Sequence, residues 1–205
     1  MFRSALMGTG LVALVVGAGA LSYRVGFTQG AAVGVAQPEG EVDHDAVTEA
    51  YENAAKPGPQ HAKLAEAAGK WKAHTEFSFG PDQVMEGDCT MSTKAILDGR
   101  FTMSHMEGDF AGAPFAGYGI NGYDNFKNEY VGVWFDNMGT AIMYLTGNME
   151  GDDLVMTGMA PTPTGGNPMK IVSSHPDKNT MVDTFYDKVG DEWVHTGTIT
   201  YTRAD

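Results

Sequence analysis

From residue 71 to residue 203, apolar and polar positions alternate in short runs, and turn-forming residues interrupt them about every ten positions. The runs predict ten strands, at 71–79, 84–93, 99–108, 116–123, 129–136, 140–148, 153–159, 169–175, 180–187 and 192–203. Gly80-Pro81-Asp82, Asp98-Gly99, Asp124-Asn125, Asn137-Met138-Gly139, Glu150-Gly151-Asp152, Pro176-Asp177 and Gly190-Asp191 supply the turn chemistry between them. No helical period intervenes, which excludes crossover helices and a parallel sheet. The pattern is therefore all-β, a single antiparallel up-and-down meander. A meander this long avoids two open edges by closing into a barrel.

Period-two parity assigns an inner face. Trp71, Ala73, Thr75, Phe77 and Phe79 share one side of the first strand, and Met85, Gly87, Cys89 and Met91 one side of the second. The same rule puts Phe101, Met103 and His105 inside on the third strand. On the last strand it selects Trp193, His195, Gly197, Ile199, Tyr201 and Arg203. From these faces Phe77, Phe79, Met91, Phe101, Met103, His105, His195 and Tyr201 are the candidate ligand-binding residues. His175 is a further histidine that this parity allows inside. Residues 130–135 and 142–145 are apolar on both faces, so an outer cover is expected there, with a short helix at 61–68 as one candidate. Pro59 fits the first turn of that helix and Gly69 its C-terminal stop.

The chain ahead of the barrel differs in composition. Residues 5–21 are apolar or small and uncharged, a run of about 17, at the short limit for a membrane span and long for a signal core. Two fates fit residues 1–23: a signal peptide cleaved after Ala20, or a hydrophobic leader helix retained as a membrane anchor. Both imply export to the periplasmic or other extracytoplasmic face, with Arg3 keeping the amino end cytoplasmic. Residues 24–56 form an acidic Gly-, Ala- and Pro-containing spacer with a short helix at 43–55, capped by Asp43 or Asp45 and stopped by Pro57. The domain proper is 57–205.

The chain's 205 residues carry a formal net charge of −13, which repels phosphate backbones and argues against a nucleic-acid partner. Cys89 is the single cysteine, so no intrachain disulfide forms, and its strand position reads as a buried inert thiol. Thirteen methionines suit an adaptable apolar interior. No His-x-x-x-His, cysteine cluster or nucleophile elbow occurs, so no catalytic or metal residues are assigned and no cofactor is indicated.

Gly69-Lys70-Trp71 at the entry to the first strand and Arg203 at the end of the last are the closure candidates. In lipocalin-like barrels a tryptophan placed this way plugs the closed end beneath a basic side chain, a cation–π contact worth about 0.5–2 kcal/mol. The domain also resembles the bacterial family known as domain of unknown function 1579. The resemblance rests on Pro57-Gly58-Pro59-Gln60-His61, Gly69-Lys70-Trp71, Leu97-Asp98-Gly99-Arg100-Phe101 and Pro114-Phe115-Ala116-Gly117-Tyr118-Gly119. It continues through Gly122-Tyr123-Asp124-Asn125, Tyr130-Val131-Gly132-Val133-Trp134, Met138-Gly139-Thr140 and Thr200-Tyr201-Thr202-Arg203. It implies a lipocalin/calycin-like barrel and lends no activity.

Three functions fit this sequence. The first is a barrel binding a small apolar ligand inside. The second is an accessory subunit that docks on a membrane protein complex through its outer barrel face, tethered by an uncleaved N-terminal segment. The third is an enzyme, or a haem or metal site built on an inward histidine.

Overall fold

The computed structural model describes residues 43–78, 80 and 83–204. The leader, most of the spacer and the inward assignment of Phe79 lie outside these residues. Two helices, α1 (His44–Ala54) and α2 (Pro59–Ala65), precede ten strands. The strands are β1 (Gly69–Ser78), β2 (Val84–Ile96), β3 (Phe101–Phe110), β4 (Ala113–Asp124), β5 (Glu129–Asp136), β6 (Met143–Glu150), β7 (Asp153–Ala160), β8 (Asn167–Asp177), β9 (Thr180–Val189) and β10 (Glu192–Ala204). Consecutive strands pair antiparallel, and β1 pairs with β10 from Lys70 opposite Ala204 to Phe77 opposite Gly197. The sheet is a closed barrel and has no free edge.

The strands run longer than the alternation suggested wherever the turn is tighter. Between β3 and β4 only Ala111 and Gly112 turn the chain, both at positive φ (53° and 80°), while the Asp109 carboxylate accepts the Gly112 N–H at 2.8 Å. That two-residue turn lets residues 109–110 and 113–115, outside the expected strands, join the ladder. Pro176 sits where the β8–β9 register slips, between Ser174 and Asp177, a place that tolerates its missing N–H.

The helices serve the barrel's ends. Asp43 caps α1 by accepting the N–H groups of Asp45 and Ala46, and Tyr51 packs edge-on against Phe126 in the β4–β5 turn. The Asn125 amide ties the same turn to the carbonyls of Ala54 and Lys56. Helix α2 begins with Pro59 in its first turn and ends at Ala65, three residues before the expected end at residue 68. Gly69 is therefore no helix cap; it opens β1 at φ 141°. Nor does α2 cover the doubly apolar strands. His61 is buried edge-on against Tyr123, and Leu64 and Ala67 face the barrel interior, so the helix plugs one end.

Two parity assignments are corrected. On β3 the inward residues are Thr102, Ser104 and Met106, and Phe101, Met103 and His105 point outward. Pairing across from Met91 and Thr93 fixes this, because Met106 lies opposite Met91 and Ser104 opposite Thr93. The Ser104 and Thr93 hydroxyls bond each other at 2.8 Å, which removes the cost of turning polar groups inward. On β10 a bulge at Thr196 inserts one extra residue between His195 and Gly197. Gly197, Ile199 and Tyr201 face in as expected, while Trp193 and His195 are thrown to the outside, against Lys188 and Tyr186.

Candidate functional site

The described strands and α2 enclose a cavity of about 430 Å³. One end is sealed by the closure residues. The Trp71 ring is 1% exposed, its Nε1 donates to the Ala67 carbonyl at 2.9 Å, and the Arg203 guanidinium lies 4.1 Å above its centroid. Arg203 also donates to the carbonyls of Ala68, Glu66 and Lys178, at 3.0, 3.2 and 3.2 Å. One guanidinium thus joins β10, the α2–β1 connection and the β8–β9 turn. Gly69 is needed here, because a Cβ at that position would meet Arg203 Nη1 at 2.5 Å.

About six residues further along β1, near 20 Å by strand rise, the opposite end carries an aromatic collar. Phe185, Phe77, Phe110, Phe115 and Trp134 follow one another with centroid separations of 5.0, 5.8, 6.2 and 6.4 Å. Gly197 makes room for it, since a Cβ there would meet the Phe77 ring at 2.2 Å. Seven methionines line the cavity: Met91, Met106, Met138, Met143, Met149, Met156 and Met181. Unbranched thioethers adjust to an occupant's shape at small cost.

Halfway along the wall, β8, β9 and β10 bring polar groups into this apolar room. Ser173 donates to the Asp183 carboxylate at 2.6 Å, and the Tyr201 hydroxyl faces the same carboxylate. Burial raises the Asp183 pKa above the ordinary carboxylate value, against the opposing pull of Ser173, Tyr201 and His175. Burial likewise pushes the Tyr201 phenol well up, helped by the adjacent carboxylate. His175, two residues along β8 from Ser173, has its pKa lowered by burial and then by Lys63 on α2. Among the described residues no lysine, arginine or histidine forms an ion pair with Asp183, and no group of three or more His, Cys, Asp or Glu side chains could hold a metal.

Of the residues picked from sequence, Phe77, Met91 and Tyr201 border the cavity, whereas Phe101, Met103, His105 and His195 do not. His105 stacks on Tyr118 at 4.4 Å, and His195 Nε2 lies 3.0 Å from the Thr198 hydroxyl, both on the outer wall. Of the three histidines weighed for the interior, only His175 borders it. Sequence reasoning missed Asp183 and Ser173. The signal that could have found them was a carboxylate on the inward parity of the ninth strand, beside Met181 and Phe185.

Comparison with known proteins places the chain by fold and family. No curated protein matches it. Among solved structures, the S-type phycobiliprotein lyase CPES from Guillardia theta is similar at 10% identity and a TM-score of 0.50, over 71% of this chain and 93% of that one. Rv2717c from M. tuberculosis superposes with a TM-score of 0.49 at 14% identity, over 73% of this chain and 100% of that one. The likeness to the lyase supports the lipocalin-like barrel and nothing finer. The family model described as protein of unknown function (DUF1579) matches residues 56–203. That span takes in α2, the plug and all ten strands, so the chain belongs to the DUF1579 family.

Proposed function

We propose that this chain is an exported barrel that binds a small, largely apolar ligand in its interior. The observation that carries the reading is the cavity itself: about 430 Å³, walled mainly by methionine, leucine, isoleucine and aromatic side chains, with a few polar groups converging at one place. Pockets for small molecules share that size and that balance of apolar wall to polar anchor. The structurally similar G. theta protein is a phycobiliprotein lyase, and the shared barrel fold is consistent with this reading. No catalytic step is assigned. The leader supports export, and the intact mass of the chain recovered from its host distinguishes a cut after Ala20 from a retained anchor.

Native mass spectrometry of protein purified from its own host tests the binding reading. A stoichiometric adduct of a few hundred daltons is expected. Protein that arrives empty and takes up no neutral apolar dye, such as N-phenyl-1-naphthylamine, would overturn it. A second reading, docking on a membrane complex, is favoured by one observation. Tyr118, Phe135, Ile142 and Tyr144 lie 39–69% exposed on the outer side of β4–β6 and the loop before β6. Recovery of this chain at fixed stoichiometry with membrane subunits, and loss of that recovery in Tyr118→Ser/Phe135→Ser, is its test.

A further inference from the structure

We infer that the interior site selects a ligand with a cationic nitrogen head, a protonated amine or a similar N–H⁺ group, which sits on Asp183 while its apolar body fills the methionine-lined space. The inference rests on the binding reading above and names its ligand class. Three observations on the barrel wall carry it.

The first is the state of the carboxylate. Two hydroxyls, those of Ser173 and Tyr201, approach Asp183. A carboxylate offers about four lone-pair sites, so acceptor capacity is left over on a group that borders the cavity. The second is the missing counter-charge. A half-buried carboxylate in an apolar cavity held only by neutral donors is costly, and such groups ordinarily carry a cation partner; among the described residues Asp183 has none. A ligand cation would supply it. The third is the charge of the room as a whole. Its acidic side chains are Asp136, Asp152 and Asp183, and its one lysine or arginine is Lys63 on the plugging helix. With a chain charge of −13 outside as well, cations are drawn in and anions repelled. His175 also faces this region, and the direction of its shift favours the neutral ring.

A matched probe series on the full chain as its host makes it tests this: decylamine, decanol and decanoate, each competing with N-phenyl-1-naphthylamine. The amine should displace the dye about tenfold or more better than the alcohol, and the acid worst, as a charge-assisted hydrogen bond implies. In Asp183→Asn the amine's advantage over decanol should disappear; referring each probe to wild type cancels partition into any carrier. Decanoate or decanol matching the amine in wild type overturns the head-group assignment and leaves the binding barrel standing, and so does an amine preference that survives Asp183→Asn. Failure of every chain and of the dye to bind overturns the binding reading itself. The wild-type series decides the matter even if the variant does not fold.

Discussion

The guanidinium of Arg203 roofs the indole of Trp71 at 4.1 Å, joining the last strand of the barrel to the first. The two residues are also opposite one another in the β1–β10 ladder, so the contact and the closure of the sheet are one event. Trp71→Ala removes the largest fully buried side chain and should cost about 3–5 kcal/mol in urea unfolding. Gly69→Ala leaves both partners in place but drives a methyl into Arg203 at a backbone angle unsuited to alanine. It should cost about 1–3 kcal/mol. Losses below 1 kcal/mol for Trp71→Ala would mean that the plug does not hold the barrel shut.

Asp183 gives the stability curve a testable pH dependence. Burial raises its folded-state pKa, so the folded chain keeps a proton that the unfolded chain gives up near the ordinary carboxylate value of about 4. Between those two values the folded state binds more protons, and stability falls as pH rises through the window. Asp183→Asn has no such charge to bury. Its melting temperature should exceed that of wild type at neutral pH, and the gap should close on acidification toward pH about 4. A gap that stays constant from pH about 4 to 8 would show that the carboxyl titrates alike in both states.

How far the sequence could be read depends on what sets each side chain's direction. Strand number, antiparallel order and closure follow from local alternation, turn residues and the Gly69-Lys70-Trp71 and Arg203 pair, all of which are written locally. Facing is different, because it is inherited from the neighbouring strand. Phe101, Met103 and His105 look like core residues in isolation, yet the register with Met91 and Thr93 turns them out and buries a Thr93–Ser104 hydroxyl pair instead. The bulge at Thr196 leaves no trace in an otherwise regular row of threonines. Asp183 was hidden for a related reason. An aspartate in a strand reads as solvated until its neighbours, Ser173 and Tyr201, are known to reach it from two other strands.

Those corrections make a prediction about the histidines. His105 and His195 lie on the outer wall, so His105→Ala and His195→Ala should leave ligand affinity within about twofold of wild type, as distant, uncoupled changes do. His175→Ala, by contrast, alters the cavity wall and should change it. Isothermal titration with whatever ligand co-purifies, or with the apolar dye, separates the cases. A large loss from either outer variant would place the binding surface outside the barrel and favour the docking reading.

The remaining prediction concerns the single thiol. Cys89 is 5% exposed, and its Sγ lies 3.6 Å from the Asp109 carbonyl. Burial, and then the charges of Asp109 and Asp88, raise its pKa, with the Asp109 hydrogen bond pulling the other way. The thiolate, the reactive form, is therefore scarce in the folded chain at pH about 8. Bulky anionic Ellman's reagent should label the native protein at least about a hundredfold more slowly than the chain unfolded in urea. Small neutral methyl methanethiosulfonate should do better, because Cys89 also borders the cavity and can be approached from inside. If that inner route is the one used, filling the cavity with ligand should slow the small reagent and leave the Ellman rate unchanged. Equal labelling of native and unfolded chains by Ellman's reagent would show that the wall around Cys89 opens readily, and a barrel wall that opens there could not hold a defined interior site.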